Sequence, residues 1–369
     1  MIIAFVLDDT LDRPDGVQQY VLTIGKWLAS RGHDVHYLVA ATTRDDIPGI
    51  HGLGGFVTMK FNGNRVRTPV PVSYRRIKAA LAAIRPDVLH VQMPYSPFFA
   101  ARVIMAADKK TRIVGTFHIL PVSRASAAAN RPLAALLRRS QSRISRVVAV
   151  SPAAADFARR VYHLDPTVLP APVDVTAASN PPPPARLASD PLRVVFLGRL
   201  VARKGVLQLI KAYSQLADTM PIQLIIGGTG PLLESARKLA ARRSDISFAG
   251  FIDESDKRDF LASAHIAVFP STGGESFGII LIEAMAAGAG IVLGGDNPGY
   301  ESVLGTRSGA LVDPRDIAAF TRALQRYISD PDARRKLHDS QQERVKRFDI
   351  ARIGPEIQSL YEAAAQPYT

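Results

Sequence analysis

Short runs of apolar and β-branched residues alternate with stretches of helical periodicity along the whole chain. In the first half the runs are Ile2–Leu7, Val35–Ala40, Val88–Gln92, Ile113–Phe117 and Val147–Val150, and amphipathic stretches such as Val17–Ser30 and Pro97–Ala107 lie between them. After the middle the alternation restarts with Arg193–Leu197, Gln223–Ile226, Ile246–Phe248, Ile266–Phe269 and Ile291–Leu293. Apolar strands separated by a dozen or more helical residues predict parallel sheets with helices on both faces. The two sets are divided by Pro170–Asp190, whose four consecutive prolines Pro181–Pro184 can continue neither a helix nor a sheet interior. The expected fold class is α/β, with two doubly wound, Rossmann-like domains facing each other across a cleft. Residues 1–170 form the first domain, 171–190 the Pro-rich linker and 191–350 the second domain. A last helix over 351–369 is expected to pack back on the first. In such sheets ligands bind beyond the carboxyl ends of the strands, which singles out the loops that follow them.

Composition narrows the class. Of 369 residues, 47% are hydrophobic and 21% charged, ordinary for a globular protein and too apolar for a disordered one. The chain has no cysteine, which excludes a disulfide scaffold, a Cys-ligated zinc site, an iron–sulfur cluster and thiol catalysis. No apolar run reaches the roughly 18 residues needed to span a bilayer. The opening MIIAFVLDDTLDR places acid after its apolar run and no basic region before it, so it reads as a first strand rather than a signal peptide. The net charge of +13 is uneven. Residues 1–175 hold 23 Lys and Arg against 12 Asp, a balance of +11, and the remainder holds 23 against 21, a balance of +2. An excess confined to one half points that half toward an anion: a lipid surface, a nucleic acid or a phosphorylated substrate. A solvated, arginine-rich surface is the plainer alternative.

The segment Gly273-Gly274-Glu275-Ser276-Phe277-Gly278-Ile279 follows a strand ending at Phe269-Pro270 and runs into Leu281–Met285. The glycine pair lets backbone come close to a ligand. The free amides of Phe277, Gly278 and Ile279, next to Ser276, then open a helix, an anion site suited to a diphosphate. Glu275 precedes the helix, at the cleft. Glu283, eight residues on, shares its face and is flanked by Ile282 and Met285, where an unpaired carboxylate is costly. A bidentate hydrogen bond from a ribose diol resolves that cost; backbone donors would also do so and would make Glu283 structural. Phe196-Leu197-Gly198-Arg199, followed by Arg203-Lys204-Gly205, reads as strand, glycine turn and cations at a helix start, where they oppose the helix dipole. Opposite the Glu275 loop, Arg199 and Lys204 can neutralise charge on a departing diphosphate.

These motifs resemble the GT-B glycosyltransferases, family 4 of the retaining enzymes, and within them the branch that moves mannose from GDP-mannose to phosphatidylinositol. The resemblance also runs through Gly16-Val17-Gln18, Phe61-Asn62-Gly63, Asp87-Val88-Leu89-His90 and Thr116-Phe117-His118, and ends at Arg347-Phe348-Asp349 and Leu360-Tyr361-Glu362. It implies that Glu275 contacts the hydroxyls of the transferred sugar, Glu283 binds the ribose, and Arg199 and Lys204 hold the diphosphate. His118 matches the histidine near the sugar's 6-position, and Gly16 the glycine that lets the first loop approach phosphate and sugar. The catalytic set is then Glu275, His118, Arg199 and Lys204. Guanine presents two donors on one edge, which a carboxylate can accept together. In Asp253-Glu254-Ser255-Asp256-Lys257, Glu254 is the candidate carboxylate and Lys257 its neighbour; the same acids also suit a helix N-terminus.

For the acceptor, Tyr74, Ile77, Leu81 and Ile84 fall on one helical stripe flanked by Arg75, Arg76, Lys78 and Arg85. A basic amphipathic helix can lie in a lipid interface and collect anionic headgroups; it can equally pack on its own domain with its basic face in water. The loop Asn62-Gly63-Asn64-Arg65-Val66-Arg67 adds cations and resembles the branch's acceptor loop. The partners expected are a nucleotide-sugar donor and an anionic phospholipid at the cytoplasmic membrane face, with no nucleic acid and no statement of oligomeric state. No cofactor or metal is expected, since the cationic pair balances the charge, and Asp8-Asp9 and Asp45-Asp46 read as strand-end and loop acids. Two departures stand out. Asp15-Gly16 replaces the family's Gly-Gly and brings a carboxylate toward the diphosphate, and Ala171-Pro172 before Val173-Asp174 suggests a stiffer hinge. The rivals are a UDP-glucose or UDP-GlcNAc transferase with another acceptor, a sugar-nucleotide epimerase and a nucleic-acid-binding protein. A dehydrogenase is disfavoured because the first strand leads into no G-x-G-x-x-G.

Overall fold

The computed structural model describes residues 1–12, 15–61, 64–69, 72–120, 130–178, 191–216 and 221–364, with backbone alone over 56–61 and 64–69. Asn62, the proline run and the alanine-rich stretch 125–129 lie outside the described residues. The chain divides into two compact units, residues 1–172 with 350–369, and residues 173–349.

In the first unit the strands are β1 (Ile2–Leu7), β2 (Asp34–Val39), β3 (Ile50–Gly52), β4 (Phe56–Phe61), β5 (Asn64–Pro69), β6 (Val88–Gln92), β7 (Arg112–Phe117), β8 (Arg146–Ala149) and β9 (Thr167–Val168). Seven of them form a parallel sheet in the order β3-β2-β1-β6-β7-β8-β9, with Ile3 facing both Val35 and Val88 in register. β6 is buried at every position, its polar His90 and Gln92 included. β4 and β5 form a separate antiparallel hairpin, Phe61 opposite Asn64. The helices are α1 (Gly16–Ser30), α2 (Tyr74–Ile84), α3 (Ala100–Ala106), α4 (Arg131–Gln141) and α5 (Pro152–Tyr162). α3 starts later than the pattern predicts because the buried Asp8 carboxylate, at the end of β1, accepts from Ala100 N (2.8 Å) and the Ser96 hydroxyl.

The lipid-interface reading of the α2 stripe is corrected. Ile77, Leu81 and Ile84 are buried in one cluster with Val6, Leu38, Val91 and Ile104, so the unit's own core covers that face. Tyr74 stays exposed under the Lys78 ammonium, 5.1 Å from its ring centroid. Arg75, Arg76 and Lys78 are exposed and keep only a surface role. Among the described residues no helix is long and apolar enough to cross a membrane.

The second unit carries α6 (Val175–Ala178) and strands β10 (Leu192–Leu197), β11 (Ile222–Gly227), β12 (Ile246–Gly250), β13 (Ile266–Phe269), β14 (Ile291–Gly295) and β15 (Leu311–Val312), in a parallel sheet of order β12-β11-β10-β13-β14-β15. Its other helices are α7 (Val206–Tyr213), α8 (Leu233–Ala240), α9 (Glu254–Ala262), α10 (Ile279–Ala286), α11 (Pro298–Leu304), α12 (Ile317–Ser329) and α13 (Pro331–Val345). The final helix α14 (Ile350–Ala363) belongs to the first unit and packs on α1; its Tyr361 hydroxyl reaches His90 Nδ1 on β6 at 2.6 Å. In each sheet the strand order reverses once, between β1 and β6 and between β10 and β13. Loops leaving the carboxyl ends at such a reversal splay apart and leave a crevice for ligand.

Candidate functional site

In the second unit that crevice is flanked by the two motifs singled out above. The chain leaves β10 at Leu197, passes Gly198-Arg199 and makes a short 3₁₀ turn, Ala202–Lys204. Gly205 follows at φ +74°, where a Cβ would lie 1.9 Å from the Pro270 carbonyl, so only glycine lets this turn press against the loop after β13. Backbone hydrogen bonds lock the two loops: Thr272 N donates to Arg203 O at 2.8 Å. This brings one oxygen of Glu275, Oε1, to 2.8 Å from Lys204 Nζ and 2.5 Å from Arg203 Nη1. Ser271 Oγ lies 2.9 Å from that same oxygen and 2.9 Å from Arg203 O, and can donate to only one of them at a time. Burial alone would push the Glu275 carboxyl up; Lys204, Arg203 and Ser271 outweigh it and hold the group below the usual carboxylate value. Glu275 is therefore an ionised carboxylate with two cations already in place.

The helix behind it is open. Gly278, at φ +115°, precedes α10; no side chain caps that helix and its first turn holds no acid. Its N-terminal dipole is thus left for an exogenous anion. A Cβ on Gly278 would lie 2.6 Å from the Tyr300 ring, so the opening is shaped by packing as well as by conformation. Phe277 is buried edge-on against Phe348 at 5.7 Å, Ser276 is half-buried, and Ile279 begins the helix.

On α10 itself Glu283 meets Lys257 of α9 at 2.5 Å, and Lys257 also lies 3.3 Å from Glu254. Burial pushes the Glu283 carboxyl up and the Lys257 ammonium pulls it back. Burial likewise lowers Lys257, but Glu283 and Glu254 more than offset it. Glu283 was expected to face a ribose diol; here one of its oxygens, Oε1, accepts from Lys257. Asp253 occupies the N-cap position of α9 without a side-chain cap bond, while Glu254 sits half-exposed in the first turn.

Arg199 is exposed and, among the described residues, forms no ion pair. The contacts with Glu275 come from Lys204, from Arg203, which was read only as part of the motif, and from Ser271, which gave no signal. Both cations of the 3₁₀ turn reach the same carboxylate oxygen because Gly205 lets the turn press on the loop after β13, a meeting that sequence spacing alone does not specify.

The first unit supplies a different kind of site. His118 follows β7 and is half-buried; its Nε2 lies 2.7 Å from Gln92 Oε1, and its ring meets Tyr20 edge-on at 4.8 Å. His90, beside it, bonds Thr116 Oγ1 through Nε2 at 2.6 Å and Tyr361 through Nδ1. Burial drives both imidazoles down to about 3, with His118 adding a little to the effect on His90, so both are neutral at pH 7. Gly16 opens α1, but the Asp15 carboxylate expected near a diphosphate accepts from Val17 N at 3.0 Å and Gln18 N at 3.4 Å, and so caps α1. Asp46 pairs with Arg44 at 2.5 Å in the loop after β2. Arg65 and Arg67 lie on β5, where only backbone is described.

Residues 14–177 match the family described as Glycosyltransferase Family 4, and residues 182–344 match Glycosyl transferases group 1. A phosphatidyl-myo-inositol mannosyltransferase of Mycobacterium tuberculosis is 31% identical over 99% of this chain and 97% of its own length. The protein of that name from Mycolicibacterium smegmatis is 30% identical over 99% of this chain and 94% of its own. Among solved structures, Anabaena Alr3699/HepE in complex with UDP and glucose superposes with a TM-score of 0.76 at 17% identity, covering 98% of this chain and 100% of that one. At that identity the likeness speaks for the fold.

Proposed function

The chain belongs to the family 4, group 1 glycosyltransferases, and from that premise we propose that it carries mannose from GDP-mannose, with retention, to phosphatidylinositol or a related inositol lipid at a membrane surface. It is a hexose-transferring enzyme of GT-B fold. One observation supports the donor site above all: Glu275 is paired with Lys204 and Arg203 beside the uncapped start of α10. A sugar hydroxyl and a diphosphate are the two partners that such a pair exchanges for each other. The names of relatives that match nearly the whole chain support mannose and the inositol lipid.

In this reading the diphosphate lies on the amides of Phe277, Gly278 and Ile279, with Arg199 and Lys204 balancing its charge and no metal required. Ribose hydroxyls replace Lys257 at Glu283, and Glu254 accepts the two donors of guanine. Glu275 and His118 accept hydroxyls of the sugar. The acceptor hydroxyl attacks the anomeric carbon from the face the phosphate leaves. The bond from that carbon to the phosphate oxygen breaks, a bond to the acceptor oxygen forms, and the hydroxyl proton passes to the departing phosphate. Arg75, Arg76 and Lys78 meet anionic headgroups electrostatically.

The test is incubation with GDP-mannose labelled in the sugar and vesicles containing phosphatidylinositol. Label recovered in an α-linked, organic-soluble glycolipid is the expected result. Label taken from UDP-glucose instead would keep the cationic cluster and discard mannose. Failure to bind any sugar nucleotide would sink the site.

A further inference from the structure

His118 is the one group of the proposed sugar site whose two ring nitrogens have different surroundings. Its Nε2 lies 2.7 Å from Oε1 of Gln92, a side chain with no exposed surface. The other end of the Gln92 amide settles which atom faces the ring. Gln92 Nε2 lies 3.4 Å from the carbonyl of His90, and a carbonyl only accepts. Turned the other way, the amide would set two oxygens against each other in a buried place. Oε1 therefore faces His118, an oxygen there must receive a proton, and His118 Nε2 must carry it. Tyr20, fully buried and edge-on to the ring, holds the plane of the imidazole. A ring with its proton at Nε2 presents a bare lone pair at Nδ1.

We propose that Gln92 is a positioning residue that fixes the tautomer of His118, so that His118 acts toward the transferred sugar only as a hydrogen-bond acceptor through Nδ1. This rests on the reading that His118 meets that sugar, and it adds a specificity. A neutral nitrogen with its lone pair forward accepts a hydroxyl and turns away a carboxylate, so hydroxymethyl sugars are taken and uronic acids refused. Gln92 touches no substrate; it acts by holding the proton on the far side of the ring, as outer partners of ligating histidines do.

The tautomer is read directly from ¹⁵N-edited proton spectra of the imidazole, without substrate. The wild-type protein should show His118 protonated at Nε2. Gln92→Leu should give a mixture of tautomers and lower kcat/KM for GDP-mannose about tenfold, the worth of one fixed hydrogen bond, while leaving affinity for GDP unchanged. A wild-type ring protonated at Nδ1 would overturn the proposal, and so would a Gln92→Leu variant whose tautomer does not change. If GDP-mannose proves not to be the donor, the spectra still answer the question about the ring, so the two failures are distinguishable.

Discussion

The two units share a strand order around a single reversal, yet they fill the crevice with opposite chemistry. In the first, His90 with Thr116 and Tyr361, and His118 with Gln92, form neutral sets held by hydrogen bonds of 2.6 to 2.7 Å, buried except at the half-buried His118. In the second, Glu275 with Arg203 and Lys204, and Glu283 with Lys257 and Glu254, form two clusters of charge pairs in which Glu275 and Glu283 are largely buried while Arg203 and Glu254 are about half-exposed. A buried neutral network fixes geometry, because breaking it strands polar groups in a medium that cannot replace them. A partly buried charge must keep a partner, so such pairs trade partners when a charged ligand arrives to supply the counter-charge. The first arrangement holds a shape and the second waits for a ligand.

The sharpest way to break that contrast is Glu275→Gln. If the carboxylate works on the reacting sugar, turnover should fall by about 10²- to 10³-fold, the loss typical of one electrostatic contact in a transition state. Affinity for GDP should hold or improve, since Lys204 is released to the diphosphate. Near-wild-type turnover in a steady-state assay would return Glu275 to a structural role.

Acid should separate the units by pH window. His90 and His118 titrate at about 3 when folded against 6.5 when free. Above 6.5 neither state holds the proton; below it the unfolded chain takes up protons that the folded chain refuses. Each histidine then costs about 1.4 kcal/mol of stability per pH unit until its folded value is reached. Glu275 runs on a lower window. Its folded value lies under the free value of 4.5, so its contribution is complete above 4.5 and lost only as pH falls below that. Trp27, the single tryptophan, sits on α1 and reports the first unit. Its urea midpoint should hold from pH 8 to 7 and drop steadily from 6.5 to 5. A flat midpoint over that lower range would mean that water reaches the histidines.

Tyr361→Phe tests the neutral network more gently. It removes the hydroxyl bonded to His90 Nδ1 and leaves that nitrogen buried without a partner, which costs about 1 to 3 kcal/mol. Thermal unfolding of the first unit should shift down by several degrees with GDP affinity unchanged. An unchanged transition would show that α14 is held by apolar packing alone.

How far these features could be read in the sequence depends on how local their causes are. β1 and β13 announce themselves as unbroken apolar runs because both of their faces are covered, whereas β6 carries His90 and Gln92 among its apolar residues. β9 and β15, two residues each, carry no pattern, and the β4–β5 hairpin interrupts an α/β alternation that gives no reason to expect it. Glu275 and Lys204 were legible from glycine turns at strand ends. Arg203 and Ser271 were not, since their meeting with Glu275 depends on the hand of a 3₁₀ turn and the touching of two distant loops. Amphipathicity disclosed that α2 has an apolar face but not whether lipid or core covers it, and the core does. Asp15 could be read two ways for a related reason: a carboxylate before a helix suits a cap as well as a site, and the structure shows the cap.

The finest test falls on Glu254, where two effects must be pulled apart. Removing its charge by Glu254→Gln takes away the acceptor proposed for guanine. It also leaves Lys257 to Glu283 alone, which tightens the pair that a ribose must open. The second effect strikes every nucleotide; the first strikes guanine only. Calorimetry with GDP and UDP on both proteins separates them, because the shared loss cancels in the ratio of the two affinities. GDP should weaken about thirtyfold and UDP about two- to threefold, a difference near 1.5 kcal/mol, as for one hydrogen bond to a charged group. Equal losses would mean that Glu254 acts solely through Lys257, and the choice of base would then have to be sought in the backbone around Phe251 and Ile252 instead.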